Sequence, residues 1–336
     1  MTLLFVCFYT TLLVYMVYNS NDDGGGTGLG FGHVDFRHPM FYRQNMILGD
    51  QSPGRGGIVA PPGANLPVSD NTIQRVLPRH NTGYSDDCVK LHFSNKPLPL
   101  VALASFPGSG NTWVRHLLQQ ATGIYTGSIY NDKSLKREGF DGEGFTDNSV
   151  IVVKTHEWDN HTLSKYQKAV LIVRDPFDAI RSEFNRHYGG HRGVAAKSKY
   201  TTGKIWQDFV YGKAQSWTNT VIEWLKFRGP LLLVRYENMK SNSMGELVRI
   251  LKFLGHDVTK ERLQCVSRNS QGKFKRIAKD YLDFNPYTAD MVETITIYKQ
   301  TVDMAIQLYT LQQCQENKDT SFFQINCTEI YMKYSS

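Results

Sequence analysis

Apolar runs and polar, helically patterned segments alternate along the chain from about Leu98 to Thr310. Four of the runs are continuously apolar at their centres: LPLVALASF, NSVIVVKTH, KAVLIV and GPLLLVR. The segment NTWVRHLLQQA between the first two has its apolar residues at helical spacing. Buried strands that alternate with helices are typical of a parallel sheet covered on both faces. The pattern therefore predicts an α/β fold, a three-layer sandwich with a central parallel sheet.

Capping residues mark the ends of two predicted helices. Asp175 can cap the helix that follows KAVLIV, and Pro176 suits the first turn of that helix. Ser243 and Glu246 have the spacing of a capping box before the run LVRILKFL. Gly255 stands where that second helix should end.

The first 18 residues form an uncharged apolar run from Met1 to Tyr18. A bilayer core needs about 20 apolar residues, with a lower limit near 17. No basic region precedes the run, and no clear small-x-small cleavage site follows it. We therefore favour an uncleaved signal anchor over a cleaved signal peptide. The expectation is a transmembrane helix over 1–18, with the rest of the chain on the lumenal side.

Residues 19–85 read as a disordered stem, because eleven of the 28 glycines and five of the 12 prolines lie between Asn21 and Asp70. Such a composition buries too little apolar surface to offset the entropy of ordering. Residues 86–336 remain as one lumenal catalytic domain.

The formal net charge of +7 suits an anionic ligand. No run of five basic residues and no zinc-finger spacing occurs, so a nucleic-acid partner is not favoured. The cysteines outside the anchor show no CxxC spacing, which argues against a metal site and leaves three disulfide pairings open. These cysteines are Cys88, Cys265, Cys314 and Cys327. Glycosylation sequons at Asn160 and Asn326 agree with a lumenal chain.

Residues suited to binding anions follow three of the predicted strands. The glycine loop SFPGSGNTW follows the first strand, Lys154 and His156 end the second, and Arg174 ends the third. Ligands of open parallel sheets bind beyond the carboxyl ends of the strands. We therefore expect one crevice to hold a backbone anion site, a lysine, a histidine and an arginine.

The glycine loop fails two standard fingerprints. It lacks the lysine of the Walker A motif, and Trp113 stands at the third glycine of GxGxxG. The loop still offers backbone N–H groups at a helix N-terminus, with Ser109, Asn111 and Thr112 as further donors. The alternative is that the loop is only a tight turn between strand and helix, with no role in binding a ligand.

Four segments resemble the PAPS-dependent sulfotransferases in order and spacing: SFPGSGNTW, VVKTH, LIVRDPFDAIRSEF and VRYENMKSNSMGELVRILKFLG. The resemblance implies a P-loop-like fold, 3′-phosphoadenosine 5′-phosphosulfate (PAPS) as co-substrate and no metal. It implies that His156 is the base and that Arg174 and Ser182 hold the 3′-phosphate. We expect Lys154 and the loop amides to meet the charge that builds on the leaving oxygen. The residues expected in the phosphosulfate loop are Pro107, Gly108, Ser109, Gly110, Asn111, Thr112 and Trp113.

The segment from Gly272 to Ile277 resembles the part of these enzymes that closes over the nucleotide, which would involve Lys273 and Arg276. A solvated charged face is the alternative for these two residues. The stretches FNRHYGGH and NPYTADM resemble the WSC-domain-containing sulfotransferases, which implies a Golgi enzyme acting on glycans, with sialic acid as a candidate acceptor. The WSC modules of that family are cysteine-rich, and with five cysteines this chain is not expected to contain one.

Many sulfotransferases have a lysine where Gly108 stands, so another cation must replace its charge. We expect Arg115, one turn into the following helix, to reach back toward the loop. The expected function is sulfonate transfer to a hydroxyl of an anionic glycan or glycoprotein. A pseudoenzyme that binds nucleotide or glycan is the first alternative, supported by Gly108. A kinase-like phosphotransferase is the second, and the missing GK[ST] argues against it.

Overall fold

The computed structural model describes residues 88–272 and 284–315. The predicted anchor and stem lie outside these ranges, as do Lys273, Arg276, Asn326 and Cys327. No helix in the described ranges is long and apolar enough to span a bilayer.

Five parallel strands form one sheet in the order β2-β3-β1-β4-β5. The strands are β1 (Val101–Ser105), β2 (Gly127–Ser128), β3 (Val153–Thr155), β4 (Lys168–Val173) and β5 (Leu231–Arg235). At the centre of the sheet, Ala104 of β1 lies level with Thr155 of β3 and Leu171 of β4. The predicted parallel sheet is confirmed, with β3 shorter than its apolar run.

The described part of the chain contains ten helices. They are α1 (Asn111–Thr122), α2 (Lys133–Arg137), α3 (Asn160–Leu163), α4 (Pro176–Gly189), α5 (Lys197–Thr201), α6 (Ile205–Leu225), α7 (Tyr236–Ser241), α8 (Ser243–Leu254), α9 (Lys260–Arg268) and α10 (Ala289–Gln315).

Side chains of β1 alternate between two apolar cores. Ala102 and Ala104 face a core shared with α4, α6 and α10. Val101 and Leu103 face a second core shared with α1, α8 and α9. Small alanines on the first face leave room for the buried tryptophans of α6. The sheet therefore lies between two helical layers, as the alternating sequence pattern predicts.

Three of the predicted helix boundaries are confirmed and one cap is wrong. The side chain of Asp175 accepts a hydrogen bond from the amide of Phe177, and Pro176 begins α4. Gly255 ends α8 in the left-handed conformation. The cap of α8 is Asn242 rather than Ser243, because the Asn242 side chain accepts from the amide of Gly245 and Ser243 is already helical.

A disulfide between Cys88 and Cys265 ties the segment before β1 to α9, across 177 residues of sequence. Cys314 is also disulfide-bonded. The first bridge anchors the helix that leads into residues 269–272, which lie against α1. Trp113 donates its indole N–H to the carbonyl of Ser270 at 2.7 Å.

Replacing both Cys88 and Cys265 by serine should destabilise the domain, because a loop of this length gains much entropy when it is released on unfolding. We expect a loss of about 3–5 kcal/mol in the free energy of unfolding, measured by urea denaturation. Ser267→Ala, an exposed change on the same helix, is the control and should stay within about 0.5 kcal/mol of the parent. A double variant as stable as the control would contradict this account.

Candidate active site

Three adjacent strands bring the predicted site residues to one edge of the sheet. β3, β1 and β4 are neighbours and run in the same direction, so their carboxyl ends lie together. β1 leads into the glycine loop, β3 into His156 and β4 into Arg174. The expected crevice thus has its elements in the required order.

The glycine loop takes a conformation that side chains would obstruct. Gly108 and Gly110 have φ angles of 80° and 92°, in the left-handed region that favours glycine. A Cβ on Gly108 would lie 2.7 Å from the carbonyl oxygen of Ala179 in α4, and one on Gly110 would lie 2.6 Å from the ring of Tyr236. Because the loop ends at the N-terminus of α1, the first N–H groups of that helix have no helical partners and can bind an anion.

Arg174 holds the loop in place. Its Nη1 donates to the carbonyl oxygen of Gly108 at 2.9 Å, and its guanidinium lies 4.3 Å from the ring centre of Tyr236. Trp217 of α6 donates its indole N–H to the Arg174 carbonyl at 3.0 Å, which fixes the end of β4. Ser182 lies against the same glycine, with its Cβ 3.2 Å from where a Cβ on Gly108 would stand.

Three buried side-chain atoms lack a hydrogen-bond partner in the described part of the chain: Ser109 Oγ, Asn111 Oδ1 and Arg174 Nε. All three belong to the glycine loop or to the arginine that holds it. The amide nitrogen of Asn111 is in use, since it donates to the Leu103 carbonyl at 2.9 Å. A buried polar group without a partner costs about 1–3 kcal/mol. Ser109 Oγ and Arg174 Nε can donate, so they fit a ligand with acceptor oxygens, whereas Asn111 Oδ1 can only accept a hydrogen bond.

The geometry around His156 fixes which of its ring nitrogens is free. Nδ1 lies 2.7 Å from the carbonyl oxygen of Ser105, so Nδ1 carries the proton and donates it. Burial and then the charge of Lys154 hold the pKa of His156 well below its ordinary value. The ring stacks on Tyr130 at 5.6 Å, and the Tyr130 hydroxyl accepts from the His156 amide. A neutral imidazole with an unprotonated Nε2 is suited to act as a general base.

Lys154 supplies a nearly buried cation beside this base. Lys154 is 8% exposed, and its ammonium has no ion-pair partner in the described ranges. Burial, and then the charge of Arg115, lower the pKa of Lys154 to about 8. An unpaired ammonium of this kind is stabilised by an anionic ligand, and it can meet negative charge that develops on a leaving oxygen.

Arg115 does not serve the glycine loop, which corrects the expectation from sequence. Its fully buried guanidinium forms an ion pair with Glu143, donates from Nε to Thr126 Oγ1 at 2.9 Å, and lies over the ring of Phe140. Glu143 is 28 residues away in sequence, so helical spacing gave no sign of this partner. Arg115 acts on the site only through its charge.

A segment of residues 190–196, here called the rim, follows α4 and contacts the two residues that flank α2. His191 Nε2 contacts Asp132 at 2.8 Å, and Arg192 contacts Glu138 at 2.6 Å. The side-chain oxygen of Asn185 in α4 accepts from the Ala195 amide at 2.9 Å. The rim is therefore tied to both α2 and α4.

The remaining predicted residues lie around this edge. Thr112 and Trp113 are partly exposed in the first turn of α1, and Pro107 is partly exposed in the loop. Asn160 is exposed at the start of α3, where Asp159 caps the helix. Tyr236, which contacts both Gly110 and Arg174, was missed as a site residue because the sequence marks it only as part of a structural segment.

Comparisons with known proteins agree with these motifs. The family model described as "Sulfotransferase domain" matches residues 98–281. A WSCD family member of Aedes aegypti is 46% identical over 210 residues, which cover 62% of this chain and 66% of that protein. A WSCD family member of Drosophila melanogaster is 46% identical over 195 residues, 57% of this chain and 61% of that protein. The chain thus spans somewhat less than two thirds of the length of these relatives.

Among solved structures, mouse sulfotransferase SULT7A1 complexed with PAP is 18% identical, with a TM-score of 0.39 over 70% of this chain and 89% of that one. The family match covers more than half of the chain and contains the glycine loop, His156 and Arg174. The chain belongs to the sulfotransferase family.

Proposed function

We propose that this chain transfers a sulfonate from PAPS to a hydroxyl of an acidic glycan, with sialic acid as the candidate acceptor sugar. The observation that carries the proposal is the placement of an uncharged His156 and an unpaired Lys154 beside an anion-binding loop at one sheet edge. Family membership supports the reaction class. The apolar N-terminus and the sequons support a type II membrane protein of the Golgi as its setting.

The residues that would hold the nucleotide are the loop from Pro107 to Trp113, Arg174 and Ser182. PAPS supplies an activated sulfonate and leaves as adenosine 3′,5′-bisphosphate (PAP). Ser109 Oγ and Arg174 Nε are buried donors with no partner in the described chain, which fits phosphate oxygens.

His156 performs the proton transfer. Its Nε2 takes the proton of the acceptor hydroxyl, while the Ser105 carbonyl holds the ring in the correct tautomer through Nδ1. The ammonium of Lys154 and the first amides of α1 offset the negative charge of the leaving oxygen. No charged side chain from the loop itself is needed in this arrangement.

The central test is sulfate transfer from labelled PAPS by the full-length chain in detergent, onto a sialylated glycoprotein and the same glycoprotein after desialylation. We expect transfer to require sialic acid, and His156→Ala to lower the rate about 10²–10⁴-fold. PAP should still raise the melting temperature of that variant. His161→Ala, an exposed histidine on α3, is the control and should retain full activity.

Other results would favour the alternatives. PAP binding without transfer to any acceptor would indicate a pseudoenzyme. Phosphate transfer from ATP with Mg²⁺ would indicate a kinase-like enzyme. A folded protein that binds neither nucleotide would contradict the assignment of the loop.

Gly108→Lys, which restores the lysine found in many relatives, should inactivate the protein rather than improve it. Any side chain here would clash with the backbone of Ala179 and Glu183, and the residue itself would have to keep a positive φ.

Gly255→Ala, at φ 75° with open space around it, should cost about 1–2 kcal/mol in folding free energy. Gly108→Ala should cost about 1–3 kcal/mol more, because it adds overpacking, as measured by denaturation. Equal losses in the two alanine variants would show that the contact with α4 is unimportant.

The pH dependence of kcat/KM for PAPS should show an alkaline limb without an acid limb near pH 6.5. Lys154 has its pKa lowered to about 8, so its charge is present below that pH and is lost above it. His156 stays neutral through pH 6.5 because its pKa lies well below that value. Lys154→Arg should move the alkaline limb upward, since arginine stays charged. An acid limb centred at 6.5 would contradict the neutral state of His156.

A further inference from the structure

Arg186 lies near the end of α4 that is far from Arg174. About ten residues separate it from the helix start, or roughly 15 Å along the axis. Its positive charge nevertheless acts on the pKa of His156, Lys154 and Tyr130. Contacts on either side of Arg186 agree with this. One turn before Arg186, the backbone of Glu183 meets the glycine loop at Gly108. Just after α4, His191 contacts Asp132, two residues from the Tyr130 whose ring stacks on His156.

A buried carboxylate fixes the orientation of this guanidinium. Nε and Nη2 of Arg186 donate to the two oxygens of Glu183 at 2.6 and 2.7 Å. The Glu183 side chain is 3% exposed, whereas that of Arg186 is 33% exposed. None of the described residues accepts a hydrogen bond from Nη1 of Arg186 in the structure. Glu183 thus holds the Nε–Nη2 edge of the guanidinium, and the side with Nη1 is open.

A plain helix-stabilising pair is the alternative explanation, and the chain offers a direct comparison. Arg249 and Glu246 of α8 have the same spacing, and Glu246 is also buried. There Arg249 is only 9% exposed and also donates to the Leu233 carbonyl, so the pair joins α8 to β5. The Glu183–Arg186 pair lies within α4 and leaves Nη1 of Arg186 open.

The cations of the rim also differ from Arg186, because their ion pairs join two separate parts of the chain. His191 and Arg192 contact Asp132 and Glu138, so they tie the rim to α2. Their ion pairs have a structural purpose. The Glu183–Arg186 pair neutralises a buried carboxylate, and it leaves Nη1 of Arg186 without a partner among the described residues, available to a ligand.

We propose that Arg186 binds the carboxylate of an acidic sugar in the acceptor and thereby holds a hydroxyl of that sugar at Nε2 of His156. This inference rests on the proposed function and names the group that recognises the acceptor. The planar guanidinium of an arginine matches the geometry of a carboxylate better than the ammonium of a lysine does. The nearby charge of Lys154 and the partial burial strengthen the interaction.

The test compares two acceptors, sialyllactose and its methyl ester, with the full-length chain. Esterification removes the charge of the carboxylate and leaves the hydroxyl groups in place. Arg186→Gln should raise the KM for sialyllactose about 10–100-fold, the range for a lost charged hydrogen bond. The KM for the ester should change less than about threefold, kcat should change little, and the rise in melting temperature with PAP should stay the same. Arg186→Lys should recover part of the preference for the acid.

Arg249→Gln is the matched control: it should lower the melting temperature and leave the ratio of KM values for the two acceptors unchanged. An Arg186→Gln variant that keeps the preference of the parent, or loses both acceptors equally, would overturn the proposal. If the parent protein transfers sulfate to neither acceptor, calorimetric titration of sialyllactose into the PAP-bound protein decides instead. Equal affinity in parent and variant, or no binding to the parent, would then overturn the Arg186 proposal, whereas absence of PAP binding would overturn the proposed function itself.

Discussion

The close contact between Gly108 and α4 is the constraint on which the site depends. Gly108 lies where a Cβ would overlap the backbone of Ala179 and Glu183, and its carbonyl oxygen accepts from Arg174. Both partners belong to the unit formed by β4 and α4. The loop, the end of β4 and the first turns of α4 are consequently held in one arrangement. That arrangement leaves no room for a side chain at position 108, so the cations of the site come from other positions, such as Lys154 of β3 and Arg174 at the end of β4.

This origin of the cations determines the electrostatics of the base. Lys154 enters from β3 with no carboxylate partner in the described chain, while Arg115 is paired with Glu143. Burial, and then the positive charge of Lys154, lower the pKa of His156, so the imidazole stays neutral. An unpaired buried ammonium weakens the unliganded fold, and an anionic ligand removes that cost. The same feature that keeps the base uncharged therefore favours binding of a polyanion.

Sequence reasoning succeeded where local rules decide the outcome. Alternating apolar runs specify a parallel sheet, and a parallel sheet brings the ends of β3, β1 and β4 together. Asp175 and Gly255 cap their helices because short-range sterics and hydrogen bonds suffice there. Asn242 displaced Ser243 because two capping residues stand side by side and either can end the preceding turn.

Long-range contacts were beyond such rules. Arg115 has helical spacing to the loop, yet Glu143 and Thr126 bind it from a later part of the chain. Cys88 and Cys265 pair across 177 residues, a choice that spacing leaves open. The close approach of α4 to Gly108 also depends on packing between elements. The sequence shows that Gly108 stands where many sulfotransferases have a lysine, and this suggested a missing positive charge. It does not show that α4 packs against Gly108 and leaves no space for a side chain there. Besides Lys154 of β3, the site has cations at two points of one element: Arg174 precedes α4 at the loop, and Arg186 lies about three turns later on the helix. Because the glycine loop packs on α4 and Arg186 belongs to the same helix, this one helix sets the distance between the loop and the open guanidinium edge.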